Sequence, residues 1–478
     1  MRLLLALLVA CAPKPAPVEP APVAPAPPAD LLPPMPAVGP EVPFAPPVPE
    51  TGALSNGASV WVVPQPGLPL VTVQLSVPGG SATDPKGAEG TAALADRMLT
   101  QGAGKRDAEA FAAEVERLGI QLDVGTSLTH STVTMSFMRD KLEPALVLLA
   151  DMLQAPRFGK ADFAREKDLA VSALKDDQDD PAAVAVKVAW ATWFGEGHPY
   201  GKPEDGTVKG MLAVTLKGAQ GYHSSAWNAA GARFTVAGDV GLADTLAALE
   251  PRFGKGWKAT KPAGVTPPAA PAHDRAPIVV VDKPGSAQTA FYLVFPGLAF
   301  GDPNLPAARA GTIVLGGTFT SRLNALLREK KGYTYGVRAR VVPTVGAGVF
   351  AISTRIRTDA TADALVDLVG ELDAIRKGVT AEEIVKARGA WRSDLVEAME
   401  TRGGTAGTFG EWHAHGLPPA ALGAELAQMG ALTPDRVTAA MAPYDPAKAV
   451  LVLVGDRAVI EPKLKEKGFT ALVAAQPI

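Results

Sequence analysis

The sequence predicts an α+β fold of two homologous domains, each a largely antiparallel sheet covered by helices. Three observations carry that expectation. A chain of 478 residues exceeds the roughly 250–300 residues over which a single core keeps growing. A Pro/Ala-rich stretch from Lys258 to Pro277 (KATKPAGVTPPAAPAHDRAP) divides the chain behind its N-terminal segment into two similar pieces. The two pieces then repeat one pattern. Each opens on strand-like runs, Val71 to Val77 and Ala290 to Phe295, and passes through helices. Each closes on an apolar strand ending in Gly-Asp, at Phe234 to Asp239 and Val450 to Asp456. Strands mixed with amphipathic helices make a layered α+β architecture.

The N-terminus reads as a targeting segment. Arg2 supplies a positive start, Leu3 to Val9 is apolar but far too short for the roughly 20 residues a membrane span needs, and Leu8-Val9-Ala10-Cys11 follows. This arrangement is similar to a bacterial lipobox, which implies lipidation at Cys11 and a periplasm-facing lipoprotein of the cell envelope. Ala12 behind the cysteine favours the outer membrane over the inner. Cys11 is the only cysteine of the sequence, so no internal disulfide or Cys-based zinc site can form. Residues 12–50 are dominated by Pro and Ala, a composition that favours extended polyproline II and serves as a spacer. The expected order is a signal segment at 1–11, a spacer at 12–50, an N-terminal domain at 51–257, a linker at 258–276 and a C-terminal domain at 277–478.

Helix signals in the second half are clear. Leu365, Leu368, Val369, Leu372 and Ile375 recur at the helical period. Thr380 and Glu383 form a capping box, and Thr433-Pro434 pairs a cap with an N1 proline. Composition excludes one class of partner. With 47% hydrophobic residues, 20% charged residues and a net charge of -3, the chain offers no basic field for nucleic acid.

The most informative stretch is Leu315 to Val337, LGGTFTSRLNALLREKKGYTYGV. Gly316-Gly317 follows a helical run, so it belongs at a helix C-terminus, the wrong polarity for a phosphate loop. Thr320 or Ser321 caps a short helix from Arg322 to Lys331 that Gly332 ends, and a strand begins near Tyr333. A reversal at Gly332 would bring Arg328 and Tyr335 to one side, offering fixed donors to a carbonyl or oxyanion. The structural alternative is a cation favouring the negative helix end beside an ordinary strand aromatic.

With Gly87 to Gly102, Arg165-Glu166-Lys167, Asp179-Asp180-Pro181, His198-Pro199-Tyr200-Gly201 and both Gly-Asp strand ends, this stretch resembles the M16 family of insulinase, pitrilysin and mitochondrial processing peptidase. The resemblance spans about Thr51 to Gly468. It implies two M16/LuxS-like metallohydrolase domains forming half of a clam-shell. It also implies that Arg328 and Tyr335 hold the substrate carbonyl at a zinc site.

Family peptidases carry His-x-x-Glu-His on an N-domain helix, with the two histidines one turn apart binding zinc and the Glu activating water. Here the aligned run is Ala93-Leu94-Ala95-Asp96-Arg97, so both imidazoles are replaced and Asp96 keeps a shorter carboxylate at the base position. The third ligand position falls near Ser172 and Ala173. No pair of the six histidines has the i, i+4 spacing, and His413-Ala414-His415 has only Glu411 as an acidic neighbour. The resemblance therefore implies a subunit with no metal and no activity of its own. Such a subunit would bind an extended peptide and lend Arg328 and Tyr335 in trans to a zinc-bearing M16 partner in a heterodimer. The alternative from another class is a lipid-anchored scaffold or peptide-binding protein without catalytic role.

Overall fold

The computed structural model describes Gly39 and residues 42–261, 264, 266–269, 277–346 and 348–478. It divides into two units, Met1–Phe44 and Ala45–Ile478. The expected signal segment with Cys11, most of the 12–50 spacer and part of the 258–276 linker, His273 included, lie outside the described residues.

The first sheet is built from β1 (Glu50–Ala53), β2 (Ser59–Pro64), β3 (Leu70–Pro78), β4 (Gln121–Thr126), β5 (His130–Met138) and β6 (Arg233–Gly238), in the order β1-β2-β6-β3-β5-β4. The second contains β7 (Ile278–Asp282), β8 (Gln288–Pro296), β9 (Thr334–Val342), β10 (Val349–Arg357), β11 (Val450–Gly455) and β12 (Leu472–Ala475), in the order β12-β7-β11-β8-β10-β9. Five strands superpose in topology. β2 and β6 run parallel, as do β7 and β11, whereas the neighbours of β3 and β8 are all antiparallel. The repeat read from the two Gly-Asp endings is thus a repeat of strand order. The sheets are mixed, because the last strand of each repeat returns beside the first and in the same direction.

Alternation along β3 sets the layers. Val71, Val73, Leu75 and Val77 enter a core with Phe111, Leu146, Leu149, Met152 and Trp227. Thr72, Gln74 and Ser76, on the opposite face, are also buried. What covers them comes from the other half of the chain. The helix Arg402–Ala414 lies on β3 and β6, so close that a Cβ on Gly410 would meet the Gln74 amide nitrogen at 2.4 Å. Its His413 stacks on Trp61 at 4.2 Å and hydrogen-bonds through its two ring nitrogens with the hydroxyls of Thr235 and Ser59.

The reciprocal cover is the helix Pro181–Phe194. Asp180 caps it by accepting from the Ala182 amide, Pro181 sits in its first turn and Gly195 at φ 76° ends it. Its Val184, Val188, Trp193 and Phe194 pack on Val279, Ala290, Tyr292, Val294 and Val452 of the second sheet. Large apolar side chains buried this way contribute roughly 1.5–3 kcal/mol each. The halves expected as separate contiguous domains therefore exchange one helix apiece. Ala-rich and apolar apart from Lys187 and Thr192, PAAVAVKVAWATWF does not reveal in sequence which sheet it covers.

Local expectations in the second half hold. Leu365, Leu368, Leu372 and Ile375 are buried on the helix Thr361–Lys377 with Val369 half-buried at the margin of that face, and the Thr380/Glu383 capping box is formed in both directions. Thr433 caps the helix Pro434–Met441.

Candidate functional site

The helix aligned with the family's metal-binding helix is Thr91–Arg97. Gly90 enters it at φ 109°, and Asp84 caps it from outside, accepting from the amides of Gly90 (2.6 Å) and Ala92 (2.8 Å). Burial pushes the Asp84 carboxyl up to about 6 against these two bonds. Ala93 and Arg97, one turn apart, share the less buried side of the helix.

Asp96 points the other way. It is fully enclosed and accepts hydrogen bonds from Thr126 Oγ1 (2.6 Å), from Trp227 Nε1 (2.8 Å) and from the Ser131 hydroxyl. Burial raises its carboxyl to about 6 despite these three donors. The carboxylate expected at the base position is thus a bolt between helix and sheet. It turns inward to the hydroxyls of Thr126 on β4 and Ser131 on β5.

Arg97 stands at the second imidazole position, its Nε 3.4 Å from Glu166 Oε2 on the helix Lys160–Asp179. Glu166 is buried and lies 3.6 Å from Arg165 as well. Ala173 follows Glu166 by seven residues, two turns along the same helix face. The three ligand positions therefore hold a methyl group, a guanidinium and a methyl group. None offers the lone pairs zinc requires. Among the described residues, no group of three or more His, Cys, Asp or Glu could hold a metal ion. Sequence reading passed over Glu166 as the partner of Arg97, although it stands in the Arg165-Glu166-Lys167 segment that carried the resemblance.

In the second half, the helix Leu305–Thr312 continues as a π-turn over Ile313–Gly317, and a second π-turn spans Asn324–Lys330. The ordinary α-helix expected from Arg322 to Lys331 is wound wider than its sequence signals. Wide turns of this kind recur at functional sites. Gly332, at φ 63°, ends it as expected, donating to the Arg328 carbonyl while Tyr333 donates to Leu327.

The reversal brings Arg328 and Tyr335 together, with the guanidinium carbon 5.1 Å from the phenol ring centroid. A third residue completes the arrangement, since the same carbon lies 3.8 Å above the ring of Phe319. Tyr335 is 87% exposed and Phe319 58% exposed, so the cation is held between two rings on an open surface. Cation–π contacts at such places contribute about 0.5–1 kcal/mol. Arg328 also lies 3.3 Å from the neighbouring Glu329. Phe319 had one legible signal, an exposed aromatic in a polar turn, and its nine-residue offset from Arg328 matches no regular period.

Asn324 aligns these pieces. Its Oδ1 accepts from the Val337 amide (2.8 Å), and its Nδ2 donates to the carbonyls of Val337 (3.0 Å) and Thr318 (2.9 Å). One buried amide thereby fixes the loop that carries Phe319, the turn that carries Arg328 and the strand that carries Tyr335.

The histidines are dispersed. His198 accepts from the Tyr200 amide, and Tyr200 OH donates to the Val345 carbonyl, so the His-Pro-Tyr-Gly turn ties the halves together. His413 faces the first sheet, while His415 stacks on Phe300 at 3.8 Å. In a helix the i, i+2 pair diverges, as its spacing requires.

Doubled topology, a degenerate metal helix and a paired Arg and Tyr define a metallopeptidase-like class of protein. Comparison with known proteins gives the family. One profile, described as insulinase (peptidase family M16), matches residues 60–199, and another, described as peptidase M16 inactive domain, matches residues 213–390. The chain belongs to the M16 family. An uncharacterised zinc protease of Rickettsia bellii is 25% identical over 348 residues, covering 73% of this chain and 83% of the relative. A crystal structure of a peptidase M16 inactive domain from Pseudomonas fluorescens matches with a TM-score of 0.79 and 28% identity over 85% of this chain and 98% of that one. A protease structure from Helicobacter pylori shares the fold, with a TM-score of 0.80 and 20% identity, over 86% of this chain and all of that one.

Proposed function

We propose that this chain is a zinc-less M16 subunit that binds an extended peptide and supplies Arg328 and Tyr335 in trans to a zinc-bearing partner. The observation that carries the reading is the contrast between its two half-sites. Ala93, Arg97 and Ala173 supply no metal ligand, whereas the half-buried Arg328 stands beside the exposed Tyr335, the two supported by Phe319 and Asn324. The guanidinium and the phenol would both donate to the carbonyl oxygen of the scissile bond as negative charge develops there. Metal and general base come from the partner. The lipobox-like run ending at Cys11 and the Pro/Ala-rich segment behind it support a location for this heterodimer at the periplasmic side of a bacterial envelope membrane, the outer one preferred.

The test is co-expression with an M16 chain that carries an intact His-x-x-Glu-His, followed by peptide hydrolysis. Each chain alone is expected to be nearly inert and the pair active. Tyr335→Phe or Arg328→Ala in this chain is expected to lower turnover of the pair by about a hundredfold, the scale of one lost oxyanion donor. A mixture no faster than the partner alone would show that this chain lends nothing to catalysis.

A further inference from the structure

A cavity of about 540 Å³ lies between the two sheets, within the roughly 300–1,000 Å³ of small-ligand sites. Gln74 and Ser76 of the first sheet line it together with Tyr292 and Arg340 of the second. Both exchanged helices reach it, one through Trp190 and the other through Glu411 and His415. None of Ala93, Arg97, Ala173, Arg328 or Tyr335 lines it.

The wall has three kinds of chemistry. Trp190, Tyr292 and Phe300 are aromatic, and Phe300 stacks on His415 with His130 edge-on to that imidazole at 5.2 Å. Burial holds His130 down to about 4 and His415 down to about 3, so both rings are neutral at pH 7. His415 Nδ1 is buried without a hydrogen-bond partner. Hydroxyls and an amide come from Ser76, Thr132 and Gln74. Charges of both signs complete the lining. The cations are Lys187, paired with Asp177, Lys202, which donates to the Asp84 carbonyl, and Arg340, and the anions are Glu204, Asp205 and Glu411. Among the described residues, neither Arg340 nor any of the three carboxylates has an ion-pair partner.

These features exclude two kinds of occupant. A lipid tail would strand the charged groups, and no metal-ligand cluster exists among the described residues. A short peptide satisfies all three kinds of wall at once. We propose that the cavity binds a short peptide with an aromatic side chain and free termini, at a site separate from the Arg328/Tyr335 pair. The ring packs among Trp190, Tyr292 and Phe300, and the backbone amides meet Gln74 and Ser76. The termini answer the carboxylates and Arg340. Binding there needs no zinc-bearing partner, so it stands or falls apart from the reading above.

Isothermal titration of the full chain with the tripeptide Ala-Phe-Ala tests it. Saturable one-to-one binding with Kd below about 1 mM is expected. The affinity should fall at least about tenfold for Ala-Ala-Ala, for the acetylated and amidated Ala-Phe-Ala, and for Arg340→Gln or Phe300→Leu. Arg328→Ala should bind unchanged. Circular dichroism checks each variant's fold, and Arg340→Gln, on a partly exposed strand, carries the test if Phe300→Leu is unstable. No saturable heat up to about 1 mM, equal binding of the blocked peptide, or loss confined to Arg328→Ala would each overturn the proposal.

Discussion

The two sheets share one topology, yet their matching edges, β4 and β9, are finished in opposite ways. Each edge strand is fastened to a preceding helix by one buried polar side chain. In the first half this is Asp96, which reaches the hydroxyls of Thr126 and Ser131 and leaves the strand backbone alone. In the second half it is Asn324, which takes both the amide and the carbonyl of Val337. Gly316 adds to that closure, since a Cβ there would meet the Ala339 amide nitrogen at 3.0 Å. Among the described residues, nothing beyond β5 bonds the β4 backbone. An open edge is a template for an added strand, whereas a closed one is protected. The contrast leaves an open strand edge in the first half and a rigid mount for Arg328 and Tyr335 at the equivalent place in the second.

The contrast can be broken at either fastening. Asp96→Ala is expected to have the largest effect, about 3 kcal/mol of lost stability in urea denaturation, because it orphans three donors at about 1 kcal/mol each or more. Asn324→Ala should cost about 2 kcal/mol by leaving both Val337 groups unpaired. Hydrogen exchange should then quicken at the Val337 amide but not along β4. Unchanged exchange at Val337 would mean that Asn324 does not close the edge.

Acidity sharpens the comparison, because the buried carboxylates with strongly raised values, Asp84 and Asp96, both belong to the first half. Each is raised to about 6 when folded, from about 3.9 when unfolded. The folded chain therefore binds more protons between these values. The stability these groups favour is fully present below about pH 4 and is lost as pH rises through 6. Their own contribution to stability should accordingly rise from pH 7 to pH 5, by about 1 kcal/mol for each group, against the opposing effect of the buried neutral His130, His413 and His415, whose unfolded rings take up protons over the same range. In Asp96→Asn the stability change from pH 7 to pH 5, read in urea, should be about 1 kcal/mol less favourable than in the parent chain, whereas a slope unaltered by that change would remove Asp96 from the account. Smallest of all, Phe319→Leu should lower turnover of the proposed two-chain assembly only about threefold, since it removes support worth about 0.5–1 kcal/mol. Phe319→Tyr should restore it.

Much of this fold was legible because it is periodic. The β3, β6, β8 and β11 strands, the face of Leu365 to Ile375 and the Thr380/Glu383 cap follow from repeats of two, three and four residues. So did the approach of Arg328 to Tyr335, since Gly332 dictates the turn. What remained hidden depends on distant segments. Asp96 occupies a family position whose register identifies a helix face, but only β4, β5 and Trp227 decide that its carboxylate turns inward. Phe319 and Asn324 act through a π-wound turn that has no distinctive composition. Helix exchange is equally silent, because an apolar helix face does not name the sheet it covers.

That exchange has a consequence for how the molecule is made. The first sheet is complete in sequence at Gly238, but one of its faces is covered only by the segment ending at Ala414. During synthesis the face with Gln74, Thr235 and Ser59 must wait for some 176 further residues before its cover exists, about 9–35 s at 5–20 residues per second. The earlier half is therefore a dependent intermediate until the later half arrives, with a polar surface exposed to whatever else is passing through the same compartment.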